Sequence, residues 1–448
     1  MPQPSPDDPP PADLEEAEAD YQRFVWKNLP RNFAGHFMHG MLGMTGFRLF
    51  NAPTFLPAYL HLLSGSDFIV GLGQSLQQAG GVLSPVIGAT QIEHRKRVLP
   101  VAMLMGTLMR VQILGVAVAG FILHGYPLLI AILVFLFLLG LFSGPQSVAF
   151  QLLLAKVIPI ARRGRLQALR NVTGGAIAAG LAWFAGHYLI QRNVLGNGYG
   201  TTFLLAFVVT SLGLTALRLL MREPVPPTVR AKSRVIDRVR EFPALIRADR
   251  GFMFFMIAQT LAVAGRVAAP FYILYAGRSM ALNGQNLGLL SLAYLGADTA
   301  TNLIWGLTGD RFGFRSTFIG ALVVWIGATA LLMAAPGLHL AGFGGPALGV
   351  RGLIFIAFFG LGAAQSGFLM SSQTMVLEFG ERDDMAMRLG LATTAQGAMA
   401  TLGPLAGGLI AGAFGYEALF AVSLSLLAIA LAVLVFRVEE PRLRRGVA

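Results

Sequence analysis

Apolar runs of membrane-crossing length recur along the chain, separated by polar links rich in arginine. About 20 consecutive apolar residues suffice to cross a bilayer as a helix. The pattern predicts spans near 33–63, 68–92, 98–123, 127–157, 166–191, 200–221, 251–277, 286–309, 316–335, 351–377, 388–414 and 416–436. Several links are only a few residues long, so helices adjacent in sequence run antiparallel. The expected fold is an all-α polytopic membrane protein with 12 transmembrane helices, and an even count returns both termini to one side.

The longest link divides the chain. Its expected parts are an N-terminal tail with an interfacial helix (1–32), a six-helix bundle (33–221), a central linker (222–250), a second six-helix bundle (251–437) and a C-terminal tail (438–448). Residues 1–20 are proline-rich and acidic and read as a disordered tail. Tyr21–Arg31 reads as a short interfacial helix anchored by Trp26. In the linker, Val235, Ile236, Val239, Phe242 and Ile246 form an apolar stripe opposite Arg234, Arg238 and Arg240, as in a helix lying flat on a bilayer. A shift of 218 residues superposes Arg48 on Arg266, Gly88 on Gly306, Arg97 on Arg315 and Arg170 on Arg388, which points to an internal duplication into two pseudo-symmetric bundles.

Composition sharpens the class. The chain is 55% hydrophobic and 12% charged, against about a quarter charged in soluble domains. Most of the 34 lysines and arginines fall on alternate links and the two tails. The formal charge of +12 therefore reads as the cytoplasmic excess of a plasma (inner) membrane protein, with both termini cytoplasmic, and not as a nucleic-acid surface. There is no cysteine, so disulfides, thiol catalysis and thiolate metal sites are excluded. His36, His39 and His61 lack metal-binding partners, and no phosphate-binding glycine loop followed by Lys-Ser/Thr occurs. No enzyme, cofactor or metal is expected, and ATP is not expected to act.

One polar link is distinctive: Gly306-Leu-Thr-Gly-Asp310-Arg311-Phe-Gly313-Phe-Arg315. Gly313 suits a helix end, and Arg311 and Arg315 suit its negative pole, whereas Asp310 needs a partner elsewhere. With twelve spans and a basic central link, this motif resembles the cytoplasmic loop signature of the major facilitator superfamily of secondary transporters. The first-half counterpart departs from it: Gly88 and Arg97 remain, but Ile92 stands at the aspartate position with Glu93 beside it. Arg162-Arg-Gly-Arg165 is similar to the family's second cytoplasmic link, and Gly403-Pro404-Leu-Ala-Gly407-Gly408 to a glycine-proline signature of its antiporters. The resemblance implies a mid-membrane cavity lined by spans one, four, seven and ten, gated by two, five, eight and eleven, with alternating access by rocking of the halves.

Ionisable groups at mid-bilayer are costly and usually functional. Arg48 and Arg266 each lie about fifteen residues into a span, near the midplane at 1.5 Å per residue. They either converge on an anionic substrate or are structural, bonded to carbonyls or to Asp298. Asp298 is either a proton carrier or a standing counter-ion. Arg110 reads as structural, as does the His36/His39 pair. Asn51, Gln146, Gln259 and Gln365 suit a solute path, while Gln74, Gln77 and Gln78 suit a junction near a gate. Tyr272 and Tyr275 suit an outer vestibule or an interface anchor. Pro53, Pro57 and Pro270 should break two cavity helices towards their outer ends.

The functional expectation is a monomeric secondary transporter that moves a small organic solute, more anionic than cationic, by proton-coupled antiport in the export direction. Its partners are the solute, protons and membrane lipids. The alternatives are a drug-type efflux pump with structural arginines, and a non-transporting receptor or scaffold of the same fold.

Overall fold

The computed structural model describes residues 12–92, 95–226, 249–342, 345–379 and 385–440. All regular elements there are helical: α1 (Ala12–Phe50), α2 (Phe55–Ser64), α3 (Asp67–Ile92), α4 (Leu99–Ile122), α5 (Gly125–Val157), α6 (Ile160–Phe184) and α7 (Gly198–Leu220) precede the central link. After it come α8 (Arg250–Gly265), α9 (Tyr272–Ala276), α10 (Gly284–Phe312), α11 (Phe314–Leu340), α12 (Gly345–Glu378) and α13 (Met385–Phe436). Seven stretches among the described residues are long and apolar enough to cross a membrane, including Arg250–Ala276 and Arg388–Phe436. The expected surface helix of the central linker lies outside the described residues, as does Glu93.

Two departures from the sequence pattern have local causes. The helix expected to start at Tyr21 starts at Ala12, because Ala12–Asp20 holds alanine, leucine and glutamate, all good helix formers, once the prolines end. It runs through Pro30 into the first apolar run, so no separate interfacial helix exists. The final two spans stay separate helices, as the apolar pattern predicts: within α13 the chain leaves helical geometry at Gly415, where φ is +85° and ψ 172°, a conformation glycine adopts without penalty.

The prolines act as expected in two places. The first helix breaks at residues 51–54, which include Pro53, and α8 passes at Arg266 into a 3₁₀ turn (Arg266–Phe271) containing Pro270. Both breaks immediately follow, or begin at, the matched arginines. Pro57 breaks nothing: it sits in the first turn of α2, where its missing N–H costs no helical bond.

α1 packs on α6 and α7, α4 on α5 and α7, and α3 on α5. In the later part α8 packs on α13, and α12 receives α10 and α11. Two seams join the parts, α3 with α13 and α6 with α10. Backbones touch there. A Cβ on Gly71 would stand 2.1 Å from the Pro404 carbonyl oxygen, and one on Gly186 would stand 2.4 Å from Gly288 Cα. Small residues permit such approach where lipid supplies no hydrophobic drive.

Candidate functional site

A cavity of about 240 Å³ lies between the two parts, walled by the breaks themselves: Asn51 and Pro53 from one side, Arg266 and Pro270 from the other. Gln74, Gln78, Tyr294, Gln365, Met399 and Pro404 complete much of its wall. A broken helix exposes backbone polar groups, which membrane proteins tolerate only where a cavity or protein receives them.

Arg266 is the cationic group of this wall. Its guanidinium carbon lies 5.3 Å from the Trp325 ring centroid and 5.1 Å from that of Phe368. Its Nε has no hydrogen-bond partner among the described residues, and no ion pair there includes it. Gln365 Oε1 is likewise buried without a partner among those residues. The cavity thus offers a positive group with aromatic backing, and its charge is not already cancelled by a carboxylate.

Arg48 does not line that cavity. It turns to α10, where Nη1 lies 3.1 Å from Asp298 Oδ2 and donates to Thr299 Oγ1 at 3.1 Å. Gly175 leaves the room: a Cβ there would meet Thr299 Oγ1 at 2.1 Å and Arg48 Nη1 at 2.6 Å. Asp298 is therefore the counter-ion of Arg48 and not of Arg266. Tyr294, one turn earlier on α10, places the pair about a helical turn from the cavity wall. The two matched arginines occupy different surroundings.

The glutamines and asparagine divide similarly. Asn51 lines the cavity and accepts from Gln77 Nε2 at 2.8 Å. Gln259 is fully buried, donates to the Ser372 carbonyl at 2.9 Å and faces α12 instead of the cavity. Gln146 lines a separate cleft beside Arg110. Tyr272 and Tyr275 neither line a vestibule nor anchor at an interface. Both are buried, with Tyr272 receiving the Trp325 indole N–H at 3.1 Å and Tyr275 donating to the Met333 carbonyl at 3.1 Å. Sequence reasoning did not find Tyr294, Trp325 or Phe368, since aromatic residues in apolar runs carry no signal of what they face.

At the loop motif, Gly306 lies within α10, which ends at Gly313. Gly313 has φ +83° and ψ 155°, and its N–H reaches the Gly309 carbonyl at 3.0 Å. Arg315 caps another helix, not its own: Nη2 donates to the Val435 carbonyl at 2.9 Å and Nε to that of Leu434 at 3.3 Å. Arg311 lies over Phe312, and Asp310 is exposed. In the first part, Gly88 lies within α3 and Arg97 is exposed. There Glu223 accepts from the backbone N–H groups of Val98 and Leu99 at 2.7 and 2.8 Å, with Lys156 at 3.0 Å. The carboxylate of Glu440 stands at the start of α11, in the place a Gly313 side chain would fill. Glutamates after α7 and α13 thus meet corresponding helix N-termini, where a negative charge is favoured.

The opposite, far end of the bundle is tied across the seam. Tyr416 donates to Asp67 Oδ1 at 2.6 Å, and His61 Nδ1 stands 3.3 Å from the same oxygen. Within the second part, Arg278 pairs with Glu417 at 2.7 Å and lies over Tyr416. Burial alone would push the Asp67 carboxyl up, but the His61 and Tyr416 contacts outweigh it and hold it below the usual carboxylate range. Deeper in, the Thr54 and Ser291 hydroxyls bond across the same divide.

Comparison with known proteins agrees with this architecture. Residues 252–447 match the Major Facilitator Superfamily model. The uncharacterized proteins Rv2209 of Mycobacterium tuberculosis and Mb2232 of Mycobacterium bovis are each 24% identical over 196 residues, 44% of this chain. The match spans 38% of the length of these curated relatives. Among solved structures, a variant of the nucleoside transporter NupG superposes with a TM-score of 0.70 at 14% identity, over 90% of this chain and 100% of that one. A D-xylose-proton symporter gives 0.66 at 15% identity, over 94% and 98%. A bacterial homologue of the iron transporter ferroportin, in an inward-facing state, gives 0.62 at 18% identity, over 91% and 98%. At these identities the likeness is one of fold. The second half of the chain is thus similar in sequence to the Major Facilitator Superfamily, and nine-tenths of its length shares the fold of these transporters.

Proposed function

We propose that the chain is a secondary active transporter that carries a small organic anion through the cavity between two six-helix bundles. The observation that carries this reading is Arg266: a deep guanidinium in the wall of an inter-bundle cavity, with no carboxylate pairing it among the described residues. A cation kept there at high cost is best used when a substrate carboxylate or phosphate completes it. Gln365, Asn51, Gln74 and Gln78 supply neutral polar contacts, and Tyr294, Met399 and the proline-bounded breaks enclose the apolar body of the solute.

The reading places twelve crossings in a plasma (inner) membrane, with the Gly306–Arg315 loop and both termini cytoplasmic. The far-end ties, Tyr416 to Asp67 and the Gln285 N–H to Gln191 Oε1 at 3.3 Å, then correspond to a closed outer gate. Proton coupling is assigned to Asp298. Its pair with Arg48 bridges the bundles, so protonation removes the attraction and frees α1 from α10. Exchange in the export direction is the preferred cycle, supported by the Gly403–Gly408 segment, where Pro404 lines the cavity and Gly408 abuts Asp67 across the seam. Gln146 and Gln259 are not needed as substrate ligands.

Proteoliposomes test this. A panel of small carboxylates and phosphates should contain a solute whose counterflow depends on Arg266 and falls at least tenfold in Arg266→Gln. Asp298→Asn should abolish pH-gradient-driven accumulation of that solute while exchange persists. Undiminished anion flux in Arg266→Gln would remove the anion reading and favour a drug-type pump with structural arginines.

A further inference from the structure

A second basic cleft, of about 310 Å³, lies wholly within the first bundle and shares no residue with the cavity around Arg266. Its cations are Arg110 and Arg170, 3% and 8% exposed. Among the described residues neither enters an ion pair. Arg110 is aimed by the backbone: Nε donates to the Thr210 carbonyl at 2.8 Å and Nη1 to that of Gly106 at 2.7 Å, while Nη2 faces His39 Nε2 at 3.5 Å. Arg170 lies over the Phe150 ring at 4.9 Å and donates from Nη1 to Gln167 at 2.6 Å. His39 stacks on the same ring at 4.6 Å.

Three buried polar atoms at this cleft have no partner among the described residues: Arg170 Nε, Gln146 Oε1 and His39 Nδ1. Buried polar groups in native proteins are overwhelmingly satisfied, so each orphan calls for an explanation. The room for Arg170 is made specifically. A Cβ on Gly40 would fall 1.6 Å from Arg170 Nε.

The duplicated position shows what is missing. Arg388, the counterpart of Arg170, lies over Phe252 at 4.7 Å in the same manner with its Nε likewise without a partner among the described residues, but Asp249 answers its Nη1 at 2.9 Å. Arg170 has a glutamine in place of a carboxylate. We infer that the cleft between Arg110 and Arg170 binds an organic anion, whose carboxylate or phosphate takes the counter-ion role and whose apolar body lies against Met44, Phe47, Met109 and Phe150. The inference stands on the cleft's own geometry and not on transport through the central cavity. The same head-and-body chemistry belongs to a soluble aromatic acid and to an anionic phospholipid.

The test is binding, not flux. The purified full chain in uncharged detergent is titrated with benzoate, and separately with phosphatidylglycerol against phosphatidylcholine, by calorimetry and thermal shift. Benzoate, phosphatidylglycerol or both should bind the wild type, with affinity lowered roughly tenfold or more in Arg170→Gln and in Gly40→Ala. Arg170→Lys should recover part of the loss. Benzoate alone identifies a soluble ligand, and phosphatidylglycerol alone a lipid. If Arg170→Gln does not fold, Gly40→Ala reads the same contact from the opposite wall. Binding unchanged in a folded Arg170→Gln or Gly40→Ala, or no binding of either probe, would overturn the site.

Discussion

Arg48 and Arg266 occupy the same register of two duplicated helices, yet one is neutralised at 3.1 Å and the other is held between two aromatic rings. The difference has measurable consequences. Removing one member of a largely buried pair strands the other charge, at a typical cost of about 3–5 kcal/mol, whereas removing both is far milder. Arg48 and Asp298 keep 24% and 12% of their side-chain surface exposed, so the low end of that range applies. Arg48→Gln should therefore lower the unfolding temperature more than Arg48→Gln combined with Asp298→Asn, read by thermal melts in detergent. A double variant less stable than either single one would mean that the pair is not coupled as described.

Helix ends, more than helix middles, carry the distinctive chemistry of this chain. Arg315 illustrates this, since it sits at the start of α11 but holds the last carbonyls of α13. Losing hydrogen bonds from a charged donor costs about 1.5–3 kcal/mol for well-made bonds. Arg315→Ala should destabilise by about 1 kcal/mol, because part of that contact is exposed to water, and hydrogen exchange should rise at residues 432–436 while α8 stays protected. The seams make a sharper test. Gly71→Ala forces a methyl group against the Pro404 carbonyl, a backbone atom that cannot rotate away. Overpacking of this kind costs about 1–3 kcal/mol. It should separate α3 from α13, with reduced transport and faster proteolysis at the far end. Wild-type stability and flux in this variant would show that the seam is looser than the structure has it.

At the scale of the whole molecule, the ties across the far end hold the two parts together there. Asp67 is held below its unfolded value, so its contribution is fully present above about pH 4 and is lost as pH falls through the lower folded value. Acidification below the ordinary carboxylate range should thus open the far end, and Asp67→Asn or Tyr416→Phe should open it at neutral pH. The chain has no native cysteine, so spin labels can be placed singly at the exposed Leu62 and Phe414. Electron–electron distances between them should lengthen in Asp67→Asn and shorten again when the outer gate is stabilised by ligand. An unchanged distance distribution in both variants would remove this contact as a gate.

What the sequence by itself determined is whatever depends on neighbours in the chain. Apolar runs define membrane helices because each must satisfy its own backbone bonds in lipid. Pro53 and Pro270 set the breaks, because a proline removes a bond wherever it stands inside a helix. The 218-residue register pointed to matched arginines, and the motif at Gly306–Arg315 to the family whose model matches residues 252–447. Ala12–Asp20 was legible too, had its composition been separated from the prolines before it. Only the tertiary structure decided which carboxylate met which arginine. Arg48 and Asp298 are 250 residues apart, and their meeting depends on how two helices are rotated about their own axes. The same rotation turned Gln259 and Tyr272 away from the cavity, brought Tyr294 to its wall and set Trp325 and Phe368 against Arg266. A period in the sequence states that a face exists; packing alone states what it faces.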